Sequence, residues 1–187
     1  MLSFSELERG SRIMFEGQPY ELIEASLMFK GRGSSVLQAK IKNLINGETI
    51  SKTFHGSDSF EEAEITKVKI KFLYAHKEKL VFCFETNPSQ RFELSSEIIG
   101  KSSQFLKPNM ILDGIQLDEK IINISLPIKV QLKATEAPVG LKGDRSQSGT
   151  KSVTLETGAI INAPLFIKEG DIIEINTETS EYVRRVE

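Results

Sequence analysis

Short alternating runs of apolar and polar residues, closed by turn residues at a spacing of roughly 8–12, predict an all-β chain of three small β-barrels. Two further observations agree. No stretch sustains helical heptads, and the strand pattern breaks twice, at the acidic run Glu61–Glu64 and at Pro127. The breaks divide the 187 residues into 1–62, 63–126 and 127–187, each about the smallest size at which one core folds alone.

The elements follow in order. Arg12 to Phe15 and Gln18 to Ile23 read as strand, Gly17 turn, strand. Glu21 to Met28 continues as strand into a basic glycine segment, and Val36 to Leu44 leads out of it. Val36 to Ile50 forms a second hairpin with Asn46-Gly47 as a two-residue type I′ turn. Thr53 to Asp58 interrupts the pattern, and Glu61–Glu64 is the first boundary. In the second set, Lys67-Val68-Lys69-Ile70-Lys71-Phe72 alternates strictly, burying one face and leaving a lysine row in solvent. His76 to Lys79 turns the chain into the more apolar strand Leu80–Phe84. Ser95 to Gly100 is one short helix, serine at its start and glycine at its end. Met110 to Leu117, a turn at Asp118-Glu119, and Ile121 to Leu126 complete the set. The third set holds strands at Ile128–Ala134, Ser152–Glu156, Ala159–Asn162, Asp171–Asn176 and Tyr182–Val186, with a polar loop over Gly140–Lys151.

Composition narrows the function classes. Residues of the hydrophobic class make up 39% of the chain, enough for real cores rather than disorder. The net charge is −2, and Lys+Arg against Asp+Glu run 7 to 9, 9 to 8 and 8 to 9 over the three sets. No set is a basic module, so any RNA binding rests on shape and a few local cations. The single Cys83 excludes an intramolecular disulfide, and no Cys/His cluster suits a metal. No signal peptide opens the chain and no 18 apolar residues run together, so a cytoplasmic protein without a membrane partner is expected.

One segment stands out chemically: Phe29-Lys30-Gly31-Arg32-Gly33-Ser34-Ser35, between two strands. Gly31 and Gly33 accept positive φ at little cost, so the backbone can turn on both sides of Arg32 and hold one guanidinium at a hairpin tip. A planar, permanently charged group on a projecting tip suits an RNA-lined cavity, pairing with phosphate or stacking on a base. Taken alone, such a turn is more often a solvated loop.

The wider pattern resembles the bacterial elongation factor P family. Gly31-Arg32-Gly33, Lys40-Ile41-Lys42-Asn43-Leu44, Asn46-Gly47 and Lys52-Thr53-Phe54 are similar to its first domain. Lys151 to Gly158, Ala163-Pro164-Leu165-Phe166-Ile167, Gly170-Asp171 and Glu181 to Val186 resemble its C-terminal signature. The resemblance covers essentially the whole chain. It implies an L-shaped, tRNA-like molecule with an N-terminal KOW/SH3-like barrel and two OB-fold barrels. It further implies a monomeric, non-enzymatic factor without cofactor or metal, which binds both ribosomal subunits between the peptidyl and exit sites. Such a factor relieves stalling at consecutive prolines by positioning peptidyl-tRNA. Lys30, Gly31, Arg32, Gly33 and Ser34 then match the loop tip that reaches peptidyl-tRNA, with Arg32 the candidate for modification by an arginine-modifying enzyme. Gly143 and Asp144 match a loop near the exit-site codon, and Tyr182 and Arg185 match contacts to small-subunit RNA.

Chemistry agrees with that role. Ordering a reactant supplies rate without an acid or base, ideal cases reaching roughly 7–11 kcal/mol, and a poor nucleophile such as proline gains most. Two departures stand against the family pattern. Lys30 occupies a place where proline is usual, which adds a cation and loosens the approach to the tip. Arginine at the tip excludes lysine-directed modification there.

Other motifs weigh less. Gly31-Arg32-Gly33 lacks the third glycine and following helix of a dinucleotide site, and Gly149-Thr150-Lys151-Ser152 has a threonine intruding into a phosphate-loop pattern. His55 and His76 read as surface residues, Cys83 as core, and Asn123-Ile124-Ser125 as a sequon without secretory context. Two other functions remain open: a divergent paralogue with another ribosome-linked role, favoured by Lys30, and a generic OB-fold module for single-stranded nucleic acid. The latter needs exposed aromatics, yet the chain has no Trp, three Tyr, and Phe mostly at core spacing.

Overall fold

The computed structural model describes residues 1–30, 34–138 and 149–186. Three sheets carry it, so the all-β expectation holds.

The first sheet begins with β1 (Leu2–Ser3) and a single 3-10 turn, then β2 (Arg12–Phe15), β3 (Gln18–Lys30), β4 (Ser34–Asn43), β5 (Thr49–His55) and β6 (Ser59–Glu62), in spatial order β1-β6-β2-β3-β4-β5. The β2–β3 turn is Glu16-Gly17, both at positive φ (50° and 76°), the left-handed pair that a two-residue hairpin requires. A Cβ added at Gly17 would meet nothing within 4 Å, so Gly17→Ala is expected to cost about 1 kcal/mol from backbone strain alone. Thermal unfolding of that variant checks this.

The turn between β4 and β5 departs from the two-residue expectation. Only Gly47 has positive φ, and Leu44–Glu48 forms a longer connection. The cause is Asn43, whose Oδ1 accepts from the N–H groups of Ile45 (2.8 Å) and Asn46 (3.2 Å), so the side chain shapes the turn one step early. Thr53–His55, read as interruption, is still strand, and the acidic boundary begins inside β6 because Ser59–Glu62 pairs with both β1 and β2.

The second sheet runs β7 (Ile65–His76), β8 (Lys79–Phe84), β9 (Arg91–Ser95), β10 (Ile111–Leu117) and β11 (Lys120–Ser125), in order β11-β10-β7-β8-β9. Between β9 and β10 lie the helical turn α1 (Ser96–Ile99), capped by the Ser95 hydroxyl, and a 3-10 segment, Gly100–Phe105. The β10–β11 turn holds Asp118 and Glu119 at positive φ (46° and 64°). The third sheet runs β12 (Lys129–Glu136), β13 (Thr150–Leu155), β14 (Ile160–Pro164), β15 (Ile172–Asn176) and β16 (Glu181–Val186), in order β14-β13-β12-β15-β16.

The chain packs as two compact units, Met1–Val68 with Asp113–Ile124, and Lys69–Leu112 with Ser125–Glu187. In the first, Ile13, Leu22, Leu37, Ile41, Phe54 and Phe60 form the core, and the Phe54 and Phe60 rings meet edge-on at 4.6 Å. In the second, Phe105 enters a core of Leu132, Leu155, Ile167, Ile173 and Ile175 from the third sheet. Cys83 is buried, as expected, while His55 and His76 are exposed.

Candidate nucleic-acid interface

The hairpin of β3 and β4 forms the longest ladder of the first sheet and runs well past the end of β2. Its ladder runs through a bulge between Leu22 and Glu24 and ends with Lys30 opposite Ser34. Gly31, Arg32 and Gly33 connect that last pair; they lie outside the described residues, as do Gly143 and Asp144. The β2 ladder stops at Arg12 opposite Glu21, so beyond Leu22 strand β3 is paired with β4. Every residue from Glu24 to Phe29 is exposed as a result.

Register also decides which face each side chain takes. Leu22, Ala25, Leu27 and Phe29 stand opposite Ile41, Ala39, Leu37 and Ser35, on the core side of the sheet. The core ends before they do, leaving Leu27 47% and Phe29 81% exposed. The opposite face is a polar groove lined by Glu24, Ser26, Gln38, Lys40, Ser51 and Thr53. Lys40 meets Glu24 across it at 3.6 Å. Lys52 approaches Glu16 at 3.7 Å and sits 5.0 Å from the centre of the Phe15 ring. These cations are partly neutralised by their neighbours, which leaves shape and the exposed apolar shoulder as the hairpin's distinctive features.

On the third sheet, Tyr182 and Arg185 stand opposite Ile175 and Ile173, both core residues. Tyr182 is half-buried and packs against that core, so its ring also has a structural role. Arg185 remains accessible: its guanidinium lies 3.8 Å from Asp171 and 5.8 Å from the centre of the exposed Phe166 ring. A cation held over an aromatic face is oriented before any ligand arrives. Lys151, weighed above as part of a phosphate loop, donates instead to the Pro138 carbonyl at 2.9 Å.

The other arginine of the pair, Arg184, is committed elsewhere. Its Nε and Nη2 donate to the buried Glu174 at 3.3 and 3.2 Å, and Lys129 approaches the same carboxylate at 3.7 Å. The Arg184 hydrogen bond holds the Glu174 carboxyl below its ordinary value of 4.5, and burial opposes it only in part. A lowered carboxylate stabilises the fold above its unfolded-state value, and that contribution disappears as pH falls through the lower folded value. From about pH 6 to about pH 3, wild type is therefore expected to lose more stability than Glu174→Gln. Urea midpoints at a series of pH values measure this; parallel curves would contradict it.

Phe29 and Phe166 are the exposed phenylalanines that sequence pattern hides, because alternation assigns Phe29 to the core face and Phe166 lies outside any strand. Their π-faces suit unpaired bases. All other phenylalanines are buried or half-buried, as their spacing predicts.

Known proteins share this architecture. Residues 3–60 match the family model described as the Elongation factor P (EF-P) KOW-like domain, and residues 130–185 match Elongation factor P, C-terminal. The chain is 39% identical over 186 residues to elongation factor P of Desulfotalea psychrophila, covering 100% of this chain and 99% of that one. It is 36% identical to the Endomicrobium trichonymphae protein of the same name, over 99% and 100% of the two chains. Among solved structures, eukaryotic translation initiation factor 5A from Methanococcus jannaschii is similar in fold, with a TM-score of 0.53 at 16% identity, over 66% of this chain and 92% of that one. No helix among the described residues is long and apolar enough to cross a membrane. Full-length identity of this order, with both terminal domains matched in sequence order, makes the chain a translation elongation factor that belongs to the elongation factor P family.

Proposed function

We propose that this factor works in the cytoplasm as a monomer, binding both ribosomal subunits between the peptidyl and exit sites. There it speeds bond formation at consecutive prolines by ordering peptidyl-tRNA. The observation that carries this reading is the ladder ending at Lys30 and Ser34, which leaves Gly31-Arg32-Gly33 as the whole connection between two paired strands. Arg32 is then the apical cation of a long arm, aimed at the acceptor end of peptidyl-tRNA, and the residue on which an arginine-modifying enzyme acts. Lys30, Ser34 and the glycines set its approach. Gly143 and Asp144 face the exit-site codon, and Tyr182 and Arg185 contact small-subunit RNA.

The factor contributes no acid, base or nucleophile and is not itself an enzyme; positioning alone supplies the rate. We divide it at 62/63 and 126/127, between the three sheets. Co-sedimentation tests the location. Ribosomes carrying peptidyl-tRNA and an empty exit site are expected to bring the protein down, and deacylated tRNA filling that site is expected to displace it. Equal binding with the exit site filled would contradict the reading. Preference for free single strands over ribosomes would favour the OB-module function.

A further inference from the structure

The sequon residue Asn123 has a use that glycosylation does not explain. Its Nδ2 donates to two backbone carbonyls, Leu44 (3.2 Å) and Ile45 (2.9 Å), nearly 80 residues earlier in the chain. Those carbonyls belong to the turn that follows β4, and the buried Asn43, 2% exposed, presents them. Asn43 Nδ2 donates to Gln18, its Oδ1 accepts from Ile45 and Asn46, and Leu44 N–H donates to the Pro19 carbonyl at 2.9 Å. The turn is thus fixed to the sheet on one side and held by β11 on the other, within one compact unit.

Asn43 is also the base of the tip arm. β4 pairs with β5 from Lys42 to Val36 without a register shift and continues to Ser34, whose partner is Lys30; the register shift on its β3 side lies between Leu22 and Glu24. Nine residue steps at about 3.3 Å give a lever of roughly 30 Å. A tilt of about 10° at the base moves the far end by roughly 5 Å, and a misplacement of about 1 Å is enough to cost a positioned reaction about 10²-fold.

We infer that Asn123 is a positioning residue: its amide, clamped on the Leu44 and Ile45 carbonyls, sets the angle of the β3–β4 arm and hence the place of the tip. This rests on the reading of Arg32 as the group that orders peptidyl-tRNA. The clamp is a poor candidate for a stability device alone, since two hydrogen bonds at a half-buried turn contribute little beside the buried core of the first sheet.

The test uses the full chain with nitroxide labels at Met28→Cys and Lys120→Cys, in a Cys83→Ser background. Both label sites are exposed. Asn123→Ala is expected to broaden the label-to-label distance distribution and to lower the single-turnover rate of proline–proline bond formation about tenfold or more, with ribosome binding nearly unchanged. Asn123→Asp, which keeps the shape but sets a carboxylate against two carbonyl oxygens, is expected to do the same. In an Arg32→Ala background, Asn123→Ala is expected to have no further effect on rate. An unchanged distance distribution in both Asn123 variants overturns the inference. So does an undiminished rate with a broadened distribution, or a full additional loss in the Arg32→Ala background. If Arg32→Ala itself matches wild type, the functional reading fails, while the label distances still decide whether Asn123 holds the arm.

Discussion

Arg32→Ala is expected to leave folding intact and to remove most of the rescue of proline-stalled ribosomes. Arg32 lies beyond the last strand pair, Lys30 with Ser34, and the buried residues of its sheet end nearer the base, at Val36 and Phe54. Truncating it is therefore expected to leave the buried contacts of that sheet's core in place. The functional loss is set by what a guanidinium does in RNA. Hydrogen bonds to a charged group contribute about 1.5–3 kcal/mol each, or about ten- to hundredfold in rate for each one made in the transition state. Arg32→Lys separates charge from geometry, because an ammonium keeps the cation and lacks the planar fork. Full-length yield from a triple-proline message is expected to fall strongly for Arg32→Ala and in part for Arg32→Lys, at unchanged unfolding temperature. A melting temperature that drops with the yield would mean that the tip has a structural role this account denies.

Phe82→Ala is expected to have the largest effect on stability. Phe82 is fully buried in β8, with the Phe72 ring at 5.3 Å and the Phe92 ring stacked at 5.6 Å and 16°. Removing a buried phenylalanine forfeits its transfer free energy and leaves a cavity between two rings held in paired strands. The expected loss is about 3–5 kcal/mol. Urea unfolding followed by circular dichroism should give an early transition for the second sheet. A midpoint within error of wild type would show that β7 and β9 close over the gap, which their ladder registers with β8 oppose.

Pattern reading succeeded where a strand has one wet face and failed where pairing alone makes the strand. Lys67 to Phe72 was legible because Ile70 and Phe72 are buried while Lys67 and Lys69 are exposed. Ser59–Glu62 was not, because its acidic residues carry no alternation beyond Phe60, and only the β1 and β2 partners make it a strand. At Asn46-Gly47 the local turn signal was correct in kind and lost to Asn43, whose side chain captured the turn first. The Gly31-Arg32-Gly33 motif was legible as chemistry, whereas the exposure of Phe29 depends on where the sheet's core stops, which no local pattern encodes. Tyr182 and Arg185 came from family resemblance, and periodicity gave no hint that one packs on the core while the other stands over Phe166.

The central claim is that the arm accelerates chemistry by position. The most direct measurement is the single-turnover rate of proline–proline bond formation on purified ribosomes, without factor, with wild type, and with Arg32→Ala at saturating concentration. The account predicts a clear acceleration by wild type, and a rate near the factor-free value for Arg32→Ala although it still co-sediments with ribosomes. Equal acceleration by both proteins would contradict it.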